Sequence, residues 1–268
     1  MKALGRTWCV LAVVAVSSRA DAAGFAMSDN FTILTPAYPT QQDAAAYARE
    51  VLESAEAWRS EIARHWLGEE LPPGVGRTTV NVSFSDRQDA GLTWAKDHPQ
   101  RRDHTLYLTT TPDRALGTTL AHEMVHVVLA TRFPSPHRLA AWLEEGIASS
   151  YDDGPRQAAR KQLLSWIART GNWPDVEALL NSPNLSARDA TAYATASSLT
   201  EFLLTRGDRP TLLDFGQYAR EHGWDAALAR YYRIPSTADL ERGWQQWVRQ
   251  SPTGPQNGHL RYSSTGPT

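Results

Sequence analysis

The sequence predicts an α+β protein in which a small N-terminal sheet with one long helix precedes an all-helical C-terminal part. Three observations lead to this prediction. Short segments that are rich in β-branched residues or alternate in polarity occur before residue 111. One long segment among them has apolar residues at intervals of three and four. From residue 112 to residue 250, the apolar pattern is helical.

The N-terminal part is expected to contain three strands and the long helix. Phe31–Thr35 alternates in polarity and is followed by prolines, which predicts a short strand. Residues 42–66 form the predicted long helix, because their apolar side chains recur on one face. Thr78–Phe84 and residues 105–110 are also predicted strands. Residues 91–102 are expected to form a polar loop between them.

The C-terminal part is expected to be a series of helices. The first has a strong start signal, because Thr111 can cap it, Pro112 suits the first helical position and Asp113 suits the first turn. Residues 251–268 are rich in Pro, Gly and Ser and are predicted to be a disordered tail. The predicted helices lie at about residues 112–131, 137–150, 156–170, 174–181, 188–206, 210–221, 224–232 and 237–250.

Residues 1–22 have the three parts of a secretory signal peptide. Lys2 and Arg6 precede an apolar run at residues 8–16, and the small residues at 20–22 fit a cleavage site. The apolar run is much shorter than the roughly 20 residues that span a bilayer as a helix. We therefore expect a protein that is exported to the periplasm or secreted, without an integral membrane anchor after cleavage.

Cysteine content and charge exclude several classes of function. Cys9 is the only cysteine and would be removed with the signal peptide. The mature chain is then expected to have no disulfide, no Cys-ligated metal and no thiol nucleophile. The formal net charge of −2, without a stripe of basic residues, argues against a nucleic-acid partner. A peptide or protein substrate is the expected partner.

The most informative motif is the HExxH pattern formed by His122, Glu123 and His126 within a predicted helix. A spacing of four residues puts both histidines on one helix face, where they can bind one Zn²⁺ ion. The surrounding residues are apolar, so the helix is expected to be buried. The alternative is a buried helix whose histidines hydrogen-bond to the backbone and whose glutamate pairs with an arginine.

A catalytic zinc site uses three protein ligands and leaves one position open. The next predicted helix contains Glu144 and Glu145, and a short helical hairpin would bring it to the histidines. Either carboxylate is chemically suitable as the third ligand. Helical periodicity does not choose between them.

The spacing of the motif resembles that of a known family. HExxH is followed by eighteen residues, 127–144, and then by Glu145 and Gly146. This resembles the gluzincin metallopeptidases, as in the aminopeptidase N family and the smaller peptidase MA-like domains, and the WLxEGxA context at residues 142–148 is similar to the latter. The resemblance implies that His122, His126 and Glu145 bind one Zn²⁺ ion per chain, with Glu144 a flanking surface or second-shell residue.

The resemblance covers about residues 30–250 and implies a zincin-like fold. The implied peptidase MA-like domain spans residues 23–250, with an α+β subdomain at 30–131 and a helical subdomain at 132–250. Two features depart from the relatives. The Gly-x-Met-Glu-Asn segment of the aminopeptidase N family does not occur in residues 31–111, so we expect an endopeptidase. Ser149 stands where the thermolysin-like proteins have an aspartate.

The expected reaction is peptide-bond hydrolysis by a zinc-activated water molecule, with Glu123 as the general base. Tyr193 is the expected oxyanion donor and His222 the second candidate, because related enzymes use a Tyr or His from the helical part. Their alternatives are a packed aromatic and a surface cap. Asp152 and Asp153 are expected either to orient a ligand histidine or to form a solvated turn.

Residues 105–110 are expected either to be the edge strand that pairs with an extended peptide or to be an interior strand. Two other functional classes remain open from the sequence. One is a catalytically inactive, zinc-bearing scaffold that binds peptide or cell-envelope components. The other is a helical interaction protein without a metal. The intact Glu123 favours the peptidase over the scaffold, because an inactive scaffold does not need a general base.

Overall fold

The computed structural model describes residues 24–37, 44–74, 76–98 and 101–250. Within them the chain is α+β, with a small mixed sheet followed by a series of helices. The predicted signal peptide at residues 1–22 and the predicted tail at residues 251–268 lie outside the described residues. No described helix has the length and apolar character needed to cross a membrane.

The sheet has five strands in the order β1-β2-β3-β5-β4. The three central strands are parallel, and β1 and β4 pair antiparallel at the two edges. The parallel pair β2 and β3 requires a crossover, which helix α1 (Ala44–Leu67) supplies. The strands are β1 (Gly24–Met27), β2 (Phe31–Thr35), β3 (Thr78–Phe84), β4 (Ala90–His98) and β5 (Arg101–Thr110).

One face of the sheet is covered by helices. Ile33, Val80 and Leu106 lie side by side in register on β2, β3 and β5, and all three are fully buried. Helix α1 packs over this face. The Tyr47 hydroxyl of α1 donates a hydrogen bond to the carbonyl of Pro112, which follows the last strand. The residues that alternate along the predicted strands therefore point in turn to the buried face and to the open face of the sheet.

Nine further helices follow among the described residues. A short 3₁₀ turn at Ser149–Tyr151 follows the third of them. Later helices form the C-terminal part, in which no described residue is in a strand. The helices are α2 (Pro112–Leu116), α3 (Thr118–Arg132), α4 (Ala141–Ala148), α5 (Gly154–Thr170), α6 (Val176–Leu180), α7 (Ala190–Leu204), α8 (Arg209–His222), α9 (Trp224–Tyr232) and α10 (Thr237–Gln250).

The predicted polar loop at residues 91–102 is wrong, because residues 91–98 form most of β4 and residues 101 and 102 begin β5. An edge strand has a solvated side and carries polar residues, so its composition is close to that of a loop. Residues 105–110 belong to β5, which lies between β3 and β4, so the interior alternative is correct. Strand β1 was not predicted, since four residues are too few for a clear pattern.

Two predicted helices have different boundaries in the structure. The helix predicted at 112–131 is divided at Gly117, whose backbone angles of φ −109° and ψ −122° interrupt it. Glycine tolerates such a conformation, and its amide still donates to the Asp113 carbonyl. The helix predicted from about residue 137 begins only at Ala141. The amide of His137 instead donates to the Pro134 carbonyl in a turn.

Candidate metal centre

The HExxH residues lie in α3, which is buried on nearly every side. His122 and His126 are one turn apart on the same face, and their ring centroids are 5.6 Å from each other. Leu120, Met124 and Val128 are fully buried around them and hold the helix in the core. The predicted placement of both imidazoles on one face of a buried helix is therefore confirmed.

Helix α4 brings Glu145 to the two histidines. Oε2 of Glu145 lies 3.4 Å from Nε2 of His122, and Oε1 lies 3.8 Å from Nε2 of His126. One ligand atom from each of the three residues lies within 4.8 Å of the other two. Glu145 therefore lies at the Nε2 atoms of both histidines, whereas Glu144 lies at Nδ1 of His126, a difference that helical periodicity left open.

The three side chains fit a bound cation on chemical grounds. Oε2 of Glu145 is buried, and no described residue meets it with good hydrogen-bond geometry, since Nε2 of His122 faces it only at 3.4 Å. A buried carboxylate oxygen that is poorly hydrogen-bonded is costly, and a cation between it and the imidazoles would satisfy it. Two imidazole nitrogens and one carboxylate oxygen suit Zn²⁺, and Co²⁺ and Mn²⁺ also accept them.

Asp152 lies behind His122, on the side away from Glu145. Its Oδ1 is 3.1 Å from Nδ1 of His122, and Arg156 and Arg160 contact the same carboxylate. Burial raises the pKa of Asp152, but His122 and then Arg160 outweigh it and hold the pKa at about 2. The carboxylate is thus ionised and directs Nε2 of His122 toward Glu145.

The metal-free His122 is strongly basic. Burial lowers its pKa, but the hydrogen bonds with Asp152 and Glu145 outweigh this effect and raise the pKa to about 10. A cation that binds at Nε2 must replace the proton there, since metal and proton use the same lone pair. The surrounding carboxylates therefore stabilise positive charge at this point, whether a proton or a metal ion carries it.

Glu144 lies behind His126. Its Oε2 is 3.6 Å from Nδ1 of His126, and Arg138 forms an ion pair with the same oxygen. Burial raises the pKa of Glu144, but His126 and Arg138 outweigh it and lower the pKa overall. Glu144 is only 4% exposed, so of the two predicted alternatives the surface position is wrong. His122 and His126 therefore each have a carboxylate beside Nδ1.

Glu123 lies beside the cluster and against strand β4. It is 6% exposed. The Thr93 hydroxyl on β4 donates a hydrogen bond to Oε2 of Glu123. A Cβ atom on Gly91 would lie 2.3 Å from Oε1, so the absence of a side chain there makes room for the carboxylate. The general-base candidate is thus enclosed by two residues of the edge strand.

Tyr193 lies on α7 and reaches the cluster. Its hydroxyl is within hydrogen-bonding range of the Glu145 carboxylate. Burial and the charge of Glu145 raise the pKa of Tyr193, so the hydroxyl stays protonated and remains a donor. Gly146 permits this approach, because a Cβ there would lie 2.2 Å from Oγ1 of Thr200 on α7.

The remaining predicted residues have different positions. His222 ends α8, where its ring lies 4.0 Å from that of Tyr218 and its side chain is 47% exposed. None of the described contacts of His222 involves His122, His126 or Glu145. Asp153 caps α5 by accepting from the Arg156 amide, and it pairs with Arg114. Of the two aspartates, Asp152 is therefore the one that contacts His122, whereas Asp153 caps a helix.

Sequence reasoning missed Gly91 and Thr93, because both fell in the predicted loop. A weak signal was present, since Leu92 and Trp94 alternate with them as residues of a strand do. It also missed Asp89, which accepts hydrogen bonds from Thr110 and Thr119 and pairs with Arg114 just before β4 begins. No local pattern indicates that this acid fixes the edge strand to α2 and α3.

Comparisons with known proteins identify no family for this chain. No protein-family model matches it, and no curated protein sequence matches it significantly. The functional inference therefore depends on the chemistry and placement of the residues in the cluster, together with the resemblance of the HExxH spacing to that of the gluzincins.

Proposed function

We propose that the protein is a zinc-dependent peptidase of the gluzincin type that cleaves extended peptides internally. The observation that carries the proposal is the convergence of His122, His126 and Glu145, with Glu123 beside them. One Zn²⁺ ion per chain would be held by these three ligands. The proposal includes a zincin-like arrangement of the sheet, α3 and α4, and export to the periplasm or the exterior.

A bound zinc ion supplies a Lewis acid that polarises a carbonyl group and lowers the pKa of a coordinated water molecule to about 7. The three ligands leave one position open for this chemistry, because neither Glu144 nor Asp152 directs its carboxylate toward the Nε2 atoms. Both carboxylates instead fix the histidine rings from behind, which favours the geometry that binds the ion.

Glu123 is the general base in this proposal. It follows His122 directly on α3, so its side chain points about 100° round the helix axis from that ligand. It is therefore beside the metal position rather than in it. The carboxylate takes the proton from the attacking water molecule and delivers it to the departing amine nitrogen.

Tyr193 is the oxyanion donor in this proposal. It lies next to Glu145, and its raised pKa keeps the hydroxyl proton in place. As the scissile carbonyl becomes tetrahedral, negative charge develops on its oxygen, and a hydroxyl donor stabilises that charge. The hydroxyl would then exchange its contact with Glu145 for one with substrate.

Strand β4 is the proposed place for the substrate backbone. Among the described strands β4 has only β5 as a neighbour, so its other edge can pair with an extended peptide. Gly91 and Thr93 of this strand contact Glu123. A peptide paired along β4 would therefore pass the general base. This assigns to β4 the role that the sequence suggested for residues 105–110.

Metal analysis of the purified mature protein, with a chelator-sensitive assay on an unbiased peptide library, tests the proposal. We expect one equivalent of zinc and cleavage that stops on chelation and returns with zinc. Glu145→Gln should lose the bound zinc, whereas the neighbouring Glu144→Gln should retain it at saturating zinc. One equivalent of zinc without cleavage would favour the inactive scaffold. The absence of bound metal would contradict both the peptidase and the zinc-bearing scaffold.

A further inference from the structure

Strand β4 presents two residues to Glu123 from the buried face of the sheet. Thr93 pairs in register with Leu106, and Gly91 pairs with Leu108. Both leucines are buried under the helices, so Thr93 and Gly91 face the same side as they do. Helix α3 packs against β4 on this side. The edge strand therefore meets the carboxylate of Glu123 through alternate residues.

These two contacts restrict the carboxylate in different ways. Thr93 Oγ1 donates to Oε2 and lies 3.5 Å from the backbone carbonyl oxygen of Glu123. At Gly91, an added Cβ would lie 2.3 Å from Oε1 and 2.5 Å from Cδ. The terminal torsion of a glutamate is otherwise broad and roughly two-fold. A donor on one oxygen and backbone against the other leave the group little freedom.

We propose that Thr93 is a positioning residue for Glu123 and that Gly91 provides the space that this position requires. The inference rests on the proposed peptidase function, in which Glu123 handles the proton. A base that is held in one orientation needs no reorganisation during proton transfer, and small misplacements of reacting groups reduce rates steeply. Thr93 lies on β4, the strand that is proposed to pair with the substrate. The same strand would therefore position both the general base and the peptide.

Three variants test the positioning role by separating kcat from KM. Thr93→Val keeps the side-chain shape without the donor and should lower kcat by about tenfold to a hundredfold, the range for a misplaced group. KM and zinc content should be unchanged, because the Thr93 hydroxyl bonds to Glu123 and a peptide added to a strand pairs with its backbone. Thr93→Ser, which keeps the hydroxyl, should restore most of kcat. Gly91→Ala should also lower kcat while zinc is retained.

The matched control is Thr79→Val on the central strand β3. Thr79 is a partly buried threonine that pairs with Thr32 and Thr105 and does not face Glu123. The kcat of Thr79→Val should equal that of the wild type. Equal losses in Thr93→Val and Thr93→Ser, or no loss in Thr93→Val, would overturn the positioning role.

A second readout does not depend on activity. Urea unfolding of the chelator-treated protein is measured for Thr93→Val, Glu123→Ala and the double variant. The contact predicts that the midpoint shifts of the single variants will not add up to that of the double variant. Additive shifts in an active protein would overturn the positioning role alone. If the zinc-loaded wild type cleaves no peptide, the proposed function fails, and the positioning role fails with it even where the shifts are non-additive.

Discussion

Nδ1 of His122 lies 3.1 Å from Oδ1 of Asp152, a carboxylate that is 4% exposed and seven residues beyond the proposed ligand Glu145. The thermolysin-like proteins, whose motif this sequence resembles, have an acid four residues beyond their ligand glutamate, where this chain has Ser149. The 3₁₀ turn at Ser149–Tyr151 carries the chain back toward α3, so Asp152 reaches the histidine from a later position. In the proposed metal site, Asp152 would therefore support His122 from a different position in the sequence.

Asp152→Asn is expected to weaken zinc binding by about tenfold to a hundredfold, the usual effect of losing a group that orients a ligand histidine. Competition with a chromophoric chelator measures the affinity. Asp153→Asn is the matched control, because Asp153 caps α5 and does not contact His122, and asparagine is also a good cap. Equal affinities for both variants would show that Asp152 does not support the metal site.

Tyr193→Phe is expected to lower kcat by about a hundredfold or more, as the loss of one oxyanion donor does. Zinc affinity should change little, because the hydroxyl is not a ligand in the proposal. Steady-state kinetics on a cleaved peptide measure both constants. His222→Gln is the comparison, since His222 is half-exposed at the end of α8 and should have no effect. A loss of kcat in His222→Gln without a loss in Tyr193→Phe would assign the oxyanion donor to His222.

Gly146→Ala is expected to destabilise the protein by about 1–3 kcal/mol, the usual cost of overpacking. The new Cβ would lie 2.2 Å from Oγ1 of Thr200 and 2.7 Å from the Ala196 carbonyl oxygen, so α4 and α7 must separate. Denaturant unfolding measures the change. Gly154→Ala is the control, because no atom lies within 4 Å of its added Cβ. Equal stabilities would argue against close packing at Gly146.

Acid should reduce stability between about pH 6.5 and pH 4 through His65. Burial and then the charge of Arg209 lower the pKa of His65 from its ordinary value of 6.5 to about 4. In this window the unfolded chain binds the proton and the folded chain does not, so the stabilisation present above pH 6.5 is lost as pH falls. His65→Gln should flatten this part of a urea-unfolding pH series.

Much of the site could be predicted because it depends on local periodicity. His122 and His126 share a helix face by spacing alone, and the apolar residues between them indicate burial. Glu145 required more, because Glu144 is its neighbour and only the packing of α4 on α3 shows which carboxylate faces the imidazoles. That choice came from resemblance, and the geometry agrees with it.

The parts that could not be predicted depend on contacts between distant segments. Thr93 reaches Glu123 only because β4 pairs with β5 in one particular register, and a shift by one residue would turn it to the open face. Asp152 reaches His122 through a turn whose path is not encoded in a periodic pattern. Gly117 interrupts a stretch that reads as one helix, because a single glycine is often tolerated within helices.

The most direct test of the account compares zinc-loaded wild type with zinc-loaded Glu123→Gln on a peptide that the wild type cleaves. Glutamine keeps the shape of the side chain but cannot accept the proton. We predict one equivalent of zinc in both proteins and a turnover that is lower by about 10²- to 10⁴-fold in the variant. Equal turnover in the two proteins at equal zinc content would contradict the assignment of Glu123 as the general base.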